Sequence, residues 1–242
     1  MRPAAPGAIN PRADVQTMFG RIAGRYDLMN RLMTGGQDER WRRKTVRHVL
    51  KAGTARLLDV ATGTGDLALA LANGGAHQVF GLDFAPPMIE GAEAKRHGRE
   101  DVQFLIGDAM ALPFADGAFD GCTVSFGLRN MPDYLAALTE MGRVIKPGGR
   151  LVCLELTPYR TPVLGALFNW YFEHIVPIVG GWLSGDRAAY RYLPASVGAF
   201  PDADAVANLM KAAGFSHVET ERVGGGTVAI HIAVKASQSE DR

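Results

Sequence analysis

Two cysteines in 242 residues, Cys122 and Cys153, are too few for a disulfide framework. Both fall in apolar runs that read as buried strands, where a free thiol behaves as a small hydrophobe. Net charge is almost absent as well. With 26 Lys and Arg against 25 Asp and Glu, the chain carries +1, so no global field draws it to nucleic acid or anionic lipid and any such contact has to be local. No internal repeat or low-complexity segment is present. No apolar run reaches the roughly 20 residues of a spanning helix; the richest, Val163 to Leu183, is broken by Glu173, His174 and Pro177. Met1 to Pro11 is rich in Pro and Ala with no apolar centre, so no secretory leader is expected and a cytoplasmic protein is. What the chain does have is an even spread of apolar residues, over a length that supports one substantial core.

The stretch Leu57-Leu58-Asp59-Val60-Ala61-Thr62-Gly63-Thr64-Gly65-Asp66 is an apolar run that breaks at Gly-x-Gly and resumes as the Ala/Leu pattern Leu67 to Ala72. It reads as strand, tight turn and helix, the opening unit of a nucleotide-binding α/β sheet. Gly63-x-Gly65-x-x-Ala68, with Asp83 further on, also meets a loose dinucleotide fingerprint. A pyrophosphate, however, wants bare backbone N–H groups and the positive end of the helix dipole, and Asp59 and Asp66 flank this turn. Two carboxylates suit a ligand that brings positive charge, and S-adenosyl-L-methionine carries a sulfonium and an ammonium without a phosphate. A purely structural reading stands beside this one: Asp66 as a helix cap and Asp59 as the end of a strand.

Further along, Gln78 to Asp83 reads as a second strand ending in an acid placed for ribose hydroxyls. Pro86-Pro87 opens a helix. Val102 to Ile106 is a third strand running into Gly107-Asp108-Ala109, where a carboxylate can take the adenine amino group. Gly121 to Phe126 is a fourth strand, and Ser125-Phe126-Gly127-Leu128-Arg129-Asn130 then falls where the fold puts the reacting centre. A helix from Leu135 to Val144, a turn at Lys146-Pro147-Gly148-Gly149 and a fifth strand, Arg150 to Leu156, follow. Asp202 to Ala213 is a helix closed by Gly214, and His217 to Val223 with Thr227 to Val234 form a terminal hairpin. Before all this, Asp14 caps a helix holding Val15, Met18, Phe19 and Ile22. The helix carrying Arg40, Arg42, Arg43, Lys44, Arg47, His48 and Lys51 is either a solvated face or a docking patch for anionic headgroups. Residues 158–200 are an insertion whose apolar stretch covers the site, offers a surface to a greasy substrate or membrane, or packs on the body or another subunit.

Four motifs carry a family resemblance. Tyr26-Asp27-x-Met29-Asn30 with Trp41, Phe126-Gly127-Leu128-Arg129-Asn130, the run from Arg143 to Leu151 through Glu155 and Thr157, and Tyr190-Arg191-Tyr192-Leu193 together resemble the menaquinone/ubiquinone-biosynthesis C-methyltransferases, a family of class I S-adenosylmethionine-dependent methyltransferases. Thr34 and Thr157 stand where Ser is usual, and Asp38 stands where His is usual. The resemblance implies a Rossmann-like α/β fold with a seven-stranded, mostly parallel sheet and an antiparallel C-terminal hairpin. It forms one domain over residues 14–235, with N-terminal helices over 14–52 and disordered ends at 1–13 and 236–242. The implied reaction is carbon methylation of a demethylated isoprenoid quinol, most naturally demethylmenaquinol, since only the reduced ring is electron-rich; the alternatives are an N-methyltransferase of a small molecule or phospholipid and a non-catalytic methyltransferase-like subunit. Arg129 is expected to steady the phenolate, with Asn130 and Tyr26 orienting the ring oxygens; no ordinary general base stands out and no metal is called for. Asp59, Gly63, Thr64, Gly65, Asp83, Asp108 and Ala109 are expected to hold S-adenosyl-L-methionine, with Ser125 near its methionyl part. The implied partner is a lipid-soluble quinol rather than nucleic acid, with peripheral membrane contact; a homodimer is compatible.

Overall fold

A computed structural model describes residues 13–22, 24, 26–158 and 187–237. The expectations for residues 1–12, for the apolar stretch from Val163 to Leu183 with His174, and for residues 238–242 lie outside the described residues.

Central strands of a parallel sheet are covered on both faces, so they show as unbroken apolar runs rather than alternation. β1 (Leu57–Val60) and β2 (Val79–Asp83) are buried at every position, and β4 (Phe119–Ser125) at all but its last. β3 (Val102–Ile106), at the sheet edge, is buried only at Val102. With β5 (Ile145–Leu156), β6 (Phe215–Val223) and β7 (Val228–Lys235) they form a seven-stranded sheet in the order β3-β2-β1-β4-β5-β7-β6, in which β7 runs antiparallel to both its neighbours. This is the sheet expected, including its terminal hairpin. β5 starts earlier than the sequence suggests: Phe119 pairs with Ile145 and Gly121 with Arg150, so the Lys146–Gly149 turn is folded into the strand as a bulge.

Helices cover both faces. On one, Leu138, Met141 and Val144 of α6 (Tyr134–Val144) and Val206 and Met210 of α8 (Ala203–Ala212) bury against Leu58, Phe80 and Phe119. On the other, Trp41, Val46 and Val49 of α3 (Gln37–Val49) and Leu67 and Leu71 of α4 (Asp66–Asn73) bury against Leu57, Val79 and Val152. Asp133 and Asp202 cap α6 and α8 by accepting the amides of Ala136 and Ala205, each at 3.0 Å. The remaining helices are α1 (Ala13–Ile22), α2 (Tyr26–Met33), α5 (Pro86–Arg96) and α7 (Arg187–Ala199).

Three members of the basic run on α3 are engaged within the molecule, while Arg40, Arg43 and Arg47 are exposed. Arg42 pairs with Asp38 and, at 2.8 Å, with Asp66; Lys44 and His48 both reach Glu221, at 2.9 Å each. Asp38 is itself 1 % exposed and accepts from the Thr34 hydroxyl at 2.9 Å. A buried carboxylate needs such partners, and they explain how Asp stands where His is usual.

The order of strands reverses between β1 and β4, and a crevice opens there beyond their carboxyl ends. Packing beneath the glycine turn is tight. A Cβ on Gly81 would meet the Phe104 ring at 2.6 Å and the Thr62 hydroxyl at 2.9 Å. Gly81→Ala is therefore expected to cost about 1–3 kcal/mol of stability by overpacking, read as a lower urea midpoint with unchanged m-value.

Candidate active site

A cleft of about 320 Å³ lies at this switch point, lined by the segments that leave β1, β2, β3 and β4, with Gln16 of α1 and Met88 of α5 beside them. Two non-glycine residues lining it are left-handed, Ala61 at φ 54° and Phe126 at φ 54°. Such residues persist only where the surroundings over-determine them, and they gather at functional sites. Position 127 must be glycine, since a Cβ there would lie 2.5 Å from that of Ala61.

Of the expected cofactor residues, the structure brings Gly63, Asp83, Asp108, Ala109 and Ser125 together on the cleft wall. Asp83, 6 % exposed, accepts the Gly63 amide at 2.8 Å through one carboxylate oxygen and the Ala85 amide at 3.0 Å through the other. Burial pushes its pKa upward, and the amides of Ala85, Gly63 and Phe84 hold it back. Asp108 accepts the Met110 amide at 2.9 Å.

Asp59, Thr64 and Gly65 are placed elsewhere. Asp59 points into the protein, where it accepts from the hydroxyls of Thr62 and Thr123, both at 2.7 Å. Gly65, the residue before α4, has no side chain to cap it. Burial, aided by the charge of Asp83 and opposed by the two hydroxyls, pushes the Asp59 carboxyl up to about 6. Gly65 is left-handed at φ 83°, and a Cβ there would lie 2.6 Å from the Phe104 ring. Thr64 is buried; its hydroxyl donates to Asp27 of α2 at 2.6 Å and accepts from Lys95 at 2.9 Å. Asp66 is neutralised by Lys95 at 2.6 Å and Arg42 at 2.8 Å.

The acids that give the cleft its sign are thus Asp83 and Asp108, not Asp59 and Asp66. Among the described lining residues there is no Lys, Arg or His. A diphosphate would find two carboxylates and no cation, whereas a sulfonium nucleoside meets a wall of its own complement. The donor set fits S-adenosyl-L-methionine.

At the acceptor end, Asn130 lines the cleft in a single 3-10 turn, Leu128–Asn130. Arg129 is turned away from it. Its guanidinium, 7 % exposed, binds Glu155 at 2.7 Å and the Phe126 carbonyl at 2.6 Å, while its backbone amide donates to Glu155 at 3.3 Å. Arg129 Nε is buried and has no partner among the described residues. Tyr26 heads α2, next to the Asp27 that holds the glycine turn; its side chain lies outside the described residues. Two contributors escaped sequence reasoning. Gln16 donates to the Phe84 carbonyl at 2.7 Å, and the Tyr192 hydroxyl donates to Asn130 at 3.0 Å. Gln16 follows Val15 in an ordinary amphipathic helix and carries no local signal; Tyr192 lies within a motif noted above.

The model of the ubiE/COQ5 methyltransferase family matches residues 8–235. Among curated proteins, the chain is 51 % identical over 217 residues to the demethylmenaquinone methyltransferase of Thermus thermophilus, covering 89 % of this chain and 98 % of that one. It is 42 % identical over 222 residues to the ubiquinone/menaquinone biosynthesis C-methyltransferase UbiE of Desulfotalea psychrophila, covering 91 % and 90 %. A solved structure from Thermotoga maritima, a SAM-dependent methyltransferase described as a possible histamine N-methyltransferase, superposes with a TM-score of 0.65 at 20 % identity over 91 % of this chain and 99 % of that one, a likeness of fold.

Asp83→Ala is expected to weaken S-adenosyl-L-methionine binding at least about tenfold by calorimetry, the loss of one charged hydrogen-bonding group. Because the folded protein holds the Asp59 proton more tightly than the unfolded chain, the stability from that group is full below pH about 4 and is lost as pH rises through about 6. Asp59→Asn is expected to flatten the fall in stability between pH 4 and 6, a difference on the order of 2 kcal/mol. Arg129→Ala strands a buried carboxylate and is expected to cost about 3–5 kcal/mol, part of which Glu155→Gln restores; denaturant titration of the single and double variants checks both.

Proposed function

This chain belongs to the ubiE/COQ5 methyltransferase family, and from that premise we propose that it methylates a ring carbon of demethylmenaquinol to give menaquinol, with S-adenosyl-L-methionine as donor. The observation that carries the reading is the cleft itself: among its described lining residues are two carboxylates and no cation, together with Asn130, Ser125 and the methionines Met110 and Met131. Asp83, Asp108, Ala109 and the backbone of Gly63 hold the nucleoside. Thr64, Gly65 and Asp59 shape the turn that presents Gly63. When bound, S-adenosyl-L-methionine supplies an electrophilic methyl group on a sulfonium.

The acceptor must be the hydroquinol. An oxidised quinone is electrophilic at carbon, whereas loss of a phenolic proton moves electron density onto the ring carbon. The net change exchanges that carbon's proton for a methyl group and leaves the ring aromatic. The enzyme aligns the ring and stabilises the phenolate oxygen, and each methyl transfer releases one proton in exchange. Asn130 is the donor that meets the ring oxygen, and Tyr26 is given the task of helping to orient the ring. Arg129 acts from behind, through its grip on the Phe126 carbonyl and its ion pair with Glu155.

The protein is read as cytoplasmic and peripheral to the membrane. No described helix is long and apolar enough to cross a bilayer. The contact is assigned to α2, where Leu28 and Leu32, one turn apart on one face, are 54 % and 49 % exposed.

Purified protein supplied with S-adenosyl-L-methionine and a short-chain demethylmenaquinone is expected to form the methylated product only when the ring is kept reduced, as read by mass spectrometry. Transfer to an amine acceptor with none to the quinol would overturn the assignment.

A further inference from the structure

Asn130 is an amide whose orientation its neighbours decide. The Phe126 carbonyl lies 3.4 Å from Asn130 Nδ2 and can only accept, so the NH₂ edge belongs to it. That leaves Oδ1 for the Tyr192 hydroxyl at 3.0 Å, and Tyr192 is thereby fixed as the donor. The Phe126 carbonyl is itself held at 2.6 Å by Arg129, and Phe126 is the left-handed residue of the cleft rim. Amide, carbonyl and phenol form one chain: Tyr192 to Asn130 to Phe126, with Arg129 and Glu155 behind. One N–H of Asn130 faces Phe126. The other has no protein acceptor among the described residues, on a side chain that lines the cleft.

We infer that Tyr192 is a positioning residue for methyl acceptance: its hydroxyl holds the Asn130 amide so that the second N–H meets the ring oxygen that becomes anionic. This rests on the quinol reading above. Without the phenol, the amide can swing and offer its carbonyl to a phenolate, which repels it. Tyr192 stays a donor throughout the physiological range, because burial and the nearby Glu155 carboxylate raise its pKa against the opposing pull of Arg129. It arrives on α7, the helix following residues 159–186, and α7 packs against both α1 and the turn that carries Asn130. The acceptor end of the cleft is therefore completed by an element far along the chain from the glycine turn.

Tyr192→Phe keeps the ring and deletes only the donor. With demethylmenaquinol the variant is expected to lose about 10- to 100-fold in kcat, less than the roughly 10²- to 10³-fold of removing an oxyanion donor outright because Asn130 itself remains, while the KM for S-adenosyl-L-methionine and the affinity for S-adenosylhomocysteine stay as in the parent. Asn130→Ala combined with Tyr192→Phe should lose no more than Asn130→Ala alone. An unchanged kcat in Tyr192→Phe, or fully additive losses, overturns the inference; so does a loss that appears only as a lower melting temperature, the signature of helix docking alone.

A second measurement does not depend on the acceptor. The Asn130 side-chain amide pair, identified in NMR spectra by its disappearance in Asn130→Asp, is expected to shift in Tyr192→Phe with S-adenosylhomocysteine bound. An unmoved pair overturns the inference. A parent enzyme that ignores the quinol while the pair still moves sinks the substrate reading and leaves the Tyr192 to Asn130 bond in place.

Discussion

The carboxylate of Asp83 is the contact on which the cofactor end of the molecule depends. One oxygen takes the amide of Gly63 and the other that of Ala85, so a single side chain joins the glycine turn after β1 to the segment that starts α5. Both bonds are made from a position 6 % exposed, where an unpartnered charge would be prohibitive. The same burial that makes the group costly aims its charge at the cleft. A cationic nucleoside relieves that cost and a diphosphate would add to it, so the choice of ligand class follows from how the strand ends are tied together.

A second buried charge performs a different task. Arg129 and Glu155 are almost fully enclosed and bind each other at 2.7 Å. Such pairs add little net stability relative to apolar replacements, and breaking one is expensive. What this pair contributes is geometry: it fixes the Phe126 carbonyl and the turn that presents Asn130. Backbone strain at Phe126 and Ala61 faces the same cleft, and Gly127 packs so close to Ala61 that no side chain fits there. The site is thus built from strained backbone locked by buried polar contacts, which suits a reaction that depends on alignment rather than on a strong base.

The N-terminal helices are bound into this arrangement rather than appended to it. Asp27 of α2 receives the Thr64 hydroxyl and Lys95, Lys95 reaches Asp66, and Arg42 of α3 links Asp66 to the buried Asp38. The glycine turn is braced from outside by this network and from inside by Asp59. Asp38, where the family pattern has His, fits because Arg42 and Thr34 supply its partners.

The sheet, its strand ends and the turn at Gly63 were legible in the chain because their signals are local: unbroken apolar runs, glycines at the break, caps at Asp133 and Asp202, and acids directly following strands. Asp83 and Asp108 could be read as cleft residues for the same reason, since a residue just beyond a parallel strand has only the crevice to enter. The directions of Asp59, Asp66 and Arg129 were not legible. Asp59 lies within β1, where the face a side chain takes depends on register and on Thr123, 64 positions away; Asp66 meets Lys95 and Arg42, and Arg129 meets Glu155, only once helices and strands have packed. Composition and motif determined what kinds of group this protein places near its cleft, and folding alone decided which of them face the ligand, because a charge turns to the partner that best offsets its desolvation, and that partner is distant in sequence.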